Sequence, residues 1–370
     1  MLENKNENIN IFKECVKKQC LIHTAMQPRD VVKLCFQAAF GAEHLLSDME
    51  AAWSFFEKEY ERTESAGMPL WEQISGQIFR VNLAAWKQRA LPKEWLFRMF
   101  AATANITATT EKPLLDDYLK AAEEVLFAEV ICGFSREEWC VYLNDYCSRK
   151  PEPVHHSDAY RVKEQPAYRI VKEEFVRVIP ILERIIEMKD QHIKHPFVIT
   201  IDGRAAAGKS TLAAALKEIL QVSVIHMDDF FLPMELRSEE RFREPGGNVH
   251  YERFKEEVLP YLHSEKPFSY QKFDCSCMDY NGRVSIEAGE WRIVEGSYSM
   301  HPVFGAYADL TIFCDVEPGE QMDRIEKRNG TWMAEMFRTR WIPLEEAYFS
   351  AFAIKEKAGH VMMTEAFVEP

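Results

Sequence analysis

The segment Gly203-Arg204-Ala205-Ala206-Ala207-Gly208-Lys209-Ser210 constrains this chain more than any other, because it fits the spacing G-x-x-x-x-G-K-[ST]. Eight residues of such a pattern can arise by chance, so the flanks decide. Phe197–Ile201 precedes it as a β-branched run fit for a strand. Ser210-Thr211-Leu212-Ala213-Ala214-Ala215-Leu216-Lys217 follows as a strong helix former. Between a strand and a helix, the glycines let the backbone turn tightly and aim its N–H groups at phosphate oxygens. The helix N-terminus adds its partial positive charge. Residues 203–211, with Thr211 as the last, are therefore the expected nucleotide-binding segment. Lys209 is expected to reach the β- and γ-phosphates, and the Ser210 hydroxyl to ligate Mg²⁺. ATP and Mg²⁺ are the cofactors this segment implies.

The surrounding chain repeats the same grammar. PFVITIDG, VSVIHMD (222–228), WRIVEG (291–296) and LTIFCD (310–315) are short apolar runs, each ending in Asp, Glu or Gly. Helical segments over 209–221 and 251–262 lie between some of them. Apolar strands alternating with helices predict a parallel sheet covered on both faces, a doubly wound α/β domain. Before His195 the pattern is different. The stretch Asp30–Arg62 places Val31, Leu34, Cys35, Ala38 and Ala39 at helical spacing, and further helices are predicted over 91–105, 112–130, 135–148 and 168–188, with Pro180 as a kink. The expected architecture is an all-α domain over residues 1–190 followed by the P-loop α/β domain over 191–370, with the boundary in the charged linker MKDQHIKH.

Composition narrows the partners. The chain has 370 residues and a formal net charge of -14, which argues against general phosphate-backbone binding and so against nucleic acid. Its nine cysteines form no C-x-x-C pair, which reads as a reducing compartment rather than a disulfide framework. The N-terminus MLENKNENINIFKE lacks the apolar stretch of a signal peptide, and no segment is long enough to span a bilayer. A soluble cytoplasmic protein with no membrane partner is the expectation, and homo-oligomerisation is left open.

A phosphate loop gives triphosphate binding but not a reaction; that depends on the groups at the carboxyl ends of the other strands. The 222–228 run delivers Asp228 and Asp229. Either could take the proton of a substrate hydroxyl or serve the metal, with Asp228 the stronger candidate and Asp229 equally readable as a structural cap. The 291–296 run delivers Glu295, a candidate second carboxylate near Mg²⁺. After 310–315 comes EPGEQMDRIEKRNG, where Arg324 and Arg328 stand at i and i+4 on one helix face and could clamp phosphate charge. Arg338 and Arg340 are lesser candidates of the same kind.

In that order, ITIDGRAAAGKST, HMDDFF, NVHYERFKEEVLPYL, YQKFDC, IVEGSYSMHP and ADLTIFCDVEPGEQMDRIEKRN resemble the uridine kinase-like family of P-loop kinases, the group that includes phosphoribulokinase and bacterial pantothenate kinase. The resemblance covers about residues 196–365, and AGHVMMT looks like the family's last strand. It implies that Asp228 is the catalytic base, that Arg324 and Arg328 belong to a lid over the phosphates, and that Glu295 lies near Mg²⁺. It implies phosphoryl transfer from ATP to a hydroxyl of a small molecule such as a nucleoside, a sugar or a pantothenate-like alcohol. Uridine-binding members carry an Asp where this chain has Asn248, Val249 and His250, and a His near the position of Met278. The acceptor is therefore expected to differ from uridine.

Other features read as structural. Cys275 and Cys277 lack a second pair to make a zinc site, His155 and His156 read as exposed loop residues, and Gly246-Gly247 reads as a turn. Trp341-Ile342-Pro343 and Tyr348-Phe349 read as packing. In the N-terminal half, FGAEHLL (40–46), RVNL (80–83) and the clusters at 160–161 and 167–169 either line a ligand pocket or form buried hydrogen bonds. That half can bind a regulator, mediate dimerisation or cover the substrate site. A P-loop ATPase and a nucleotide-sensing interaction protein are the alternatives to a kinase.

Overall fold

A computed structural model of the chain describes residues 2–42, 48–64, 67, 69–104, 113–128, 132–149, 152–189 and 196–363. It divides into two compact units, Met1–Ile179 and Pro180–Pro370. The division falls ahead of the linker singled out in the sequence, so the helix Ile179–Lys189 goes with the second unit from Pro180 on. Positions 190–195 of that linker lie outside the described residues.

The first unit is helix-rich, as expected. Its helices include Leu2–Ile22, Pro28–Phe40, Met49–Arg62, Lys93–Ala104, Pro113–Ala128 and Arg136–Cys147. Local chemistry sets several of their ends. Pro28 opens its helix at a position where no N–H is needed. The Asp48 carboxylate accepts from the N–H groups of Glu50 and Ala51, and Ser135 forms a reciprocal capping box with Glu138. Leu2–Ile22 and Pro28–Phe40 both pack on Pro113–Ala128, around buried Phe12, Leu34, Cys35 and Tyr118.

Besides these helices the unit carries a small sheet that the helical expectation did not include. Three five-residue strands, β1 (Trp71–Ser75), β2 (Ile78–Asn82) and β3 (Tyr168–Lys172), form an antiparallel sheet in the order β1-β2-β3. The predicted 168–188 helix is thus a strand followed by two helices, Glu173–Arg177 and Ile179–Lys189. The strands escape a search for apolar alternation because Arg80 and Arg169 occupy buried positions in them.

The second unit holds a five-stranded parallel sheet. Its strands are β4 (Phe197–Gly203), β5 (Val224–His226), β8 (Trp291–Glu295), β9 (Leu310–Asp315) and β10 (His360–Met363). Between β5 and β8 an antiparallel hairpin is formed by β6 (Phe268–Asp274) and β7 (Asp279–Ile286). The sheet order is β10-β9-β4-β8-β5, with every pairing parallel. All seven residues of the central β4 are buried. Burying a large aliphatic side chain contributes about 1.5–3 kcal/mol, so a β-branched run suits the centre of a sheet covered on both faces. Val198, Ile225, Val294 and Phe313 from four strands join Phe230, Phe254, Tyr270 and Tyr348 in one core cluster.

Two helices matter most for the site. Lys209–Leu220 leaves the end of β4 through the loop at 203–208. Pro318–Met336 follows β9 and breaks at Gly330 (φ 78°, ψ 165°), where the expected EPGEQMDRIEKRNG segment ends. Among the described residues no helix is long and apolar enough to cross a membrane.

Candidate active site

The loop after β4 is shaped by steric necessity at its first glycine. Gly203 has φ +133°, and a Cβ there would lie 2.0 Å from the Cys314 carbonyl oxygen. No side chain fits that approach of β4 to β9. Ala206 (φ 58°) and Gly208 (φ 82°) also take positive φ, which curls the backbone before Lys209 opens the helix.

Asp202, just before the loop, anchors it. One carboxylate oxygen accepts from the N–H groups of Gly203 at 2.7 Å and Tyr298 at 3.1 Å. The other accepts from the Met300 N–H at 2.9 Å and the Tyr348 hydroxyl at 2.8 Å. Burial pushes this carboxyl up to about 6, against the pull of those donors. The sequence reading passed over Asp202, although a carboxylate at the end of an apolar strand directly before the motif was a usable signal.

The loop is also gripped from the C-terminal end of the chain. Ala205 donates its N–H to Glu345 Oε2 at 3.0 Å, and its carbonyl accepts from Gln321 Nε2 at 3.0 Å. Glu345 Oε1 accepts from Ser297 Oγ at 2.7 Å. Arg324 donates to the Ala206 carbonyl at 3.2 Å and pairs with Glu320. Arg204 turns its guanidinium to Asp315 and Glu346, and its N–H goes to the Cys314 carbonyl at 3.1 Å. Nothing in the spacing of the sequence pointed to Glu345 or Gln321.

Lys209 Nζ donates to the loop's own carbonyls, Gly203 at 2.8 Å and Arg204 at 2.9 Å. Ser210 Oγ donates to Glu295 Oε1 at 2.9 Å, and His226 Nδ1 lies 2.8 Å from Glu295 Oε2. Glu295 thus joins the end of β8 to the loop helix and to the end of β5. Burial opposes its ionisation, but hydrogen bonds from His226 and Ser210 hold it below the usual carboxylate range. The same hydrogen bond raises the His226 pKa. His226 is a member of this cluster that the sequence reading missed.

Asp228 does not end a strand as expected. β5 stops at His226, and Asp228 lies in the 3₁₀ turn Met227–Phe230 that follows. Its side chain is open to solvent on one side and crowded by protein on the other. That crowding, and then the charge of Glu295, raises its pKa, with Lys209 and His226 pulling it back. Asp229, next to it, is buried and accepts the Tyr270 hydroxyl at 2.9 Å.

The predicted arginine clamp divides. Arg324 reaches the loop, whereas the recorded bond of Arg328 is to Asn329, 2.8 Å from its Nε. Arg338 pairs with Glu335, and Arg340 lies over the rings of Phe242 and Trp341. Among the described residues no group of three or more His, Cys, Asp or Glu side chains could hold a metal ion unaided. Ser210 Oγ with the carboxylates of Glu295 and Asp228 is instead a sparse, hard-oxygen donor set. It fits an ion that keeps waters and shares phosphate oxygens, as Mg²⁺ does.

The hairpin is tied to the Asp228 turn. Arg253 donates to the carbonyls of both Asp229 and Gln271. Cys275 and Cys277 sit in the exposed hairpin turn, which Asp274 caps through the Ser276 N–H at 2.9 Å. Gly246 and Gly247 do form a turn, and each is sterically required: a Cβ would lie 2.5 Å from His301 Cδ2 at the first and 1.9 Å from the Arg241 carbonyl at the second.

The N-terminal clusters resolve into a buried hydrogen-bond network. Arg80 donates to Gln19 at 2.9 Å and Gln37 at 2.6 Å and lies 4.4 Å over the Tyr168 ring. His156 bridges Asp30 at 2.9 Å and the Tyr168 hydroxyl at 2.8 Å. It is thus largely buried, unlike the exposed loop residue expected. Of FGAEHLL, residues 43–46 lie outside the described residues.

No family model matches the chain, and no curated protein matches it. Among solved structures it is similar to a possible uridine kinase from Bacillus stearothermophilus, with 19% identity over 50% of this chain and 100% of that one and a TM-score of 0.35. A candidate fructose transport system kinase from Silicibacter sp. TM1040 gives 22% identity, 48% and 94% coverage and a TM-score of 0.34. TT1252 from Thermus thermophilus gives 17% identity, 48% and 92% coverage and a TM-score of 0.31. Each of these matches covers about half of this chain. Likenesses this distant carry no weight for the chemistry, which rests on the side chains described above.

Proposed function

We propose that the second unit is an ATP-dependent kinase that transfers the γ-phosphoryl group to a hydroxyl of a small molecule. The observation that carries this reading is the Glu295 carboxylate, which joins Ser210 of the phosphate loop to His226, with Asp228 close enough to feel its charge. A triphosphate cradle alone would serve many proteins; a free carboxylate beside it is what proton abstraction from an alcohol needs.

In this reading the loop N–H groups and Lys209 hold the triphosphate, with Lys209 exchanging its loop carbonyls for phosphate oxygens. Ser210, Glu295 and Asp228 form the metal side of the site. Bound Mg²⁺ would neutralise charge on the β- and γ-phosphate oxygens. Asp228 takes the acceptor's proton as the acceptor oxygen bonds to the γ-phosphorus and the bond to the bridging oxygen breaks, releasing ADP. Arg324, already against the loop, offsets charge on the transferring group. Arg328 belongs to the same helix and completes the clamp only if that helix moves.

ADP release with Mg–ATP, measured without acceptor and with a panel of nucleosides, sugars and hydroxy acids, tests the reading. One acceptor should raise turnover well above the acceptor-free rate, and Asp228→Asn and Lys209→Ala should each abolish that rise. Equal ADP release with every acceptor and with none would overturn it.

A further inference from the structure

We propose that the first unit binds a small anion, a phosphate or a carboxylate group, at the cluster formed by Arg80, Lys33, Gln37 and Tyr168. This site does not depend on the kinase reading of the second unit.

The cluster is drawn from separate parts of the chain. The helix Pro28–Phe40 carries Asp30, Lys33 and Gln37 at i, i+3 and i+7, on one face. The Gln37 amide accepts from Arg80 of β2 at 2.6 Å and donates to the Tyr168 hydroxyl of β3 at 3.2 Å. Lys33 Nζ donates to the Val154 carbonyl at 3.0 Å. Two residues further on, His156 joins Asp30 to the same Tyr168 hydroxyl. Lys33 and Arg80 are therefore tied together twice. One link is the helix turn to Gln37, and the other runs through residues 154–156 to Tyr168, whose ring lies under the guanidinium at 4.4 Å. In keeping with that placement, the Arg80 charge helps to depress the Lys33 ammonium.

The two cations lack what buried cations ordinarily have. A charge taken out of water is costly unless a counter-charge meets it. Arg80 is only 6% exposed. Its terminal nitrogens go to two neutral amides, Gln19 at 2.9 Å and Gln37, and its Nε is buried without a hydrogen-bond partner. Lys33 meets a carbonyl. Among the described residues neither of them forms an ion pair with a carboxylate. The acids around them are turned to other donors. Asp30 takes the His156 ring, the Ser157 N–H and hydroxyl, and the Gln27 N–H. Glu72 takes Gln19 and Lys18, and Glu164 takes His23. An oxyanion between Lys33 and Arg80 would supply the missing charge, and an ammonium beside a planar guanidinium suits its several oxygens. Lys33 and Tyr168 are half-buried while Arg80 is enclosed, so the cluster opens on the Lys33 side. A neutral ligand would leave both charges as they are.

The test uses the full chain with its phosphate loop saturated by a non-hydrolysable ATP analogue and Mg²⁺, so that added anion does not report on that loop. Inorganic phosphate and succinate are titrated by calorimetry. At least one should bind saturably, and the tighter of the two tells a phosphate group from a carboxylate. Lys33→Gln should raise that Kd about 10–100-fold, and Arg80→Gln should do the same. Arg80 is buried, so its variant can fail to fold; the half-buried Lys33 then carries the comparison. A second readout needs no variant. Burial brings the Lys33 ammonium down to about 8, so it should acylate readily near neutral pH. The bound anion should slow that acylation, located by peptide mapping, and move its pH midpoint upward, which a purely structural role for Lys33 does not predict. Absence of saturable binding by either anion would overturn the proposal. So would binding that is unchanged in Lys33→Gln and leaves Lys33 acylation unaffected. Either result leaves the kinase reading untouched.

Discussion

The Glu345 carboxylate accepts the Ala205 backbone N–H at 3.0 Å across 140 residues of chain. A carboxylate therefore sits on an amide of the loop whose other amides are shaped for phosphate. Gln321 and Arg324 bind the adjacent carbonyls of Ala205 and Ala206, so the first half of the loop is fixed by the elements that follow β9. Phosphate affinity in this unit then depends on residues remote from the motif.

Separating charge from anchoring at position 345 gives opposite outcomes. Glu345→Gln keeps an oxygen for the Ala205 N–H and removes a negative charge beside the phosphates. The Kd of a non-hydrolysable ATP analogue, measured by calorimetry, should fall about 3–10-fold. Glu345→Ala leaves the Ala205 N–H and the Ser297 hydroxyl without this partner and should cost about 1–3 kcal/mol of stability in denaturant. Weaker nucleotide binding in the Gln variant would show that the carboxylate supports phosphate rather than opposing it.

Asp228→Asn removes a base without removing volume. The turnover number should fall about 10²–10⁴-fold while analogue affinity changes little. The direction of the Asp228 shift also sets a pH dependence. Its carboxyl must be ionised to accept a proton, and its pKa is raised. The acidic limb of the kcat/KM profile should therefore lie above the ordinary carboxylate value of 3.8 and vanish in the Asn variant. An unchanged limb in residual activity would assign it to another group.

Gly203 and Gly319 test the steric account. Gly203→Ala would drive a Cβ to 2.0 Å from the Cys314 carbonyl, against backbone that cannot swing aside, so the second unit should be destabilised by several kcal/mol. Gly319 lies in the first turn of the Pro318–Met336 helix with nothing within 4 Å of its Cβ position, and Gly319→Ala should be neutral or stabilise by about 0.5–1 kcal/mol. Comparable thermal shifts in both would contradict the packing of β4 on β9.

These contrasts mirror what could be read from sequence. The strand, loop and helix at 197–220 were legible because glycine spacing and β-branched runs are local signals. The β8 and β9 runs were legible for the same reason. β5 was read to Asp228 but ends at His226, since apolar composition does not show where the backbone tightens into a 3₁₀ turn. Arg324 and Arg328 share a helix face, yet a helix face does not say which residue meets a loop far away in sequence. Glu345, Gln321 and His226 act through tertiary contacts with no motif of their own. In the first unit, β3 was hidden because Tyr168–Lys172 runs straight into a helical pattern, and its buried arginine looked like a surface residue.

The Glu295–His226 pair should titrate at both ends. His226 has a raised pKa, so its contribution is full below about pH 6.5 and is lost as pH rises through the folded value. Glu295 has a lowered pKa, so its contribution is present above 4.5 and is lost as pH falls through the folded value. The stability difference between the wild type and His226→Gln should therefore be largest between those limits and shrink on the alkaline side above the His226 pKa. A difference that grows toward high pH would mean that neutral His226 is the form that holds Glu295.

In the first unit, His156 should make acid stability depend on one side chain. Burial drives its pKa from 6.5 down to about 4, although Asp30 pulls the other way. Asp30 itself is buried, but hydrogen bonds from His156 and Ser157 hold its pKa below 3.8, so it stays ionised. The His156 ring is then neutral, with Nδ1–H donated to Asp30 and Nε2 accepting the Tyr168 hydroxyl. The unfolded chain takes up a proton near pH 6.5 that the folded ring refuses until about pH 4. The unfolded state binds more protons across that window, so stability falls as pH falls, by about 3 kcal/mol in all. Denaturant unfolding of the full chain, followed between pH 7.5 and 4 for wild type and His156→Gln, checks the slope. The Gln variant should be less stable at pH 7.5 and lose less on acidification. Parallel pH slopes would place a protonated, charged His156 beside Asp30 in the folded state.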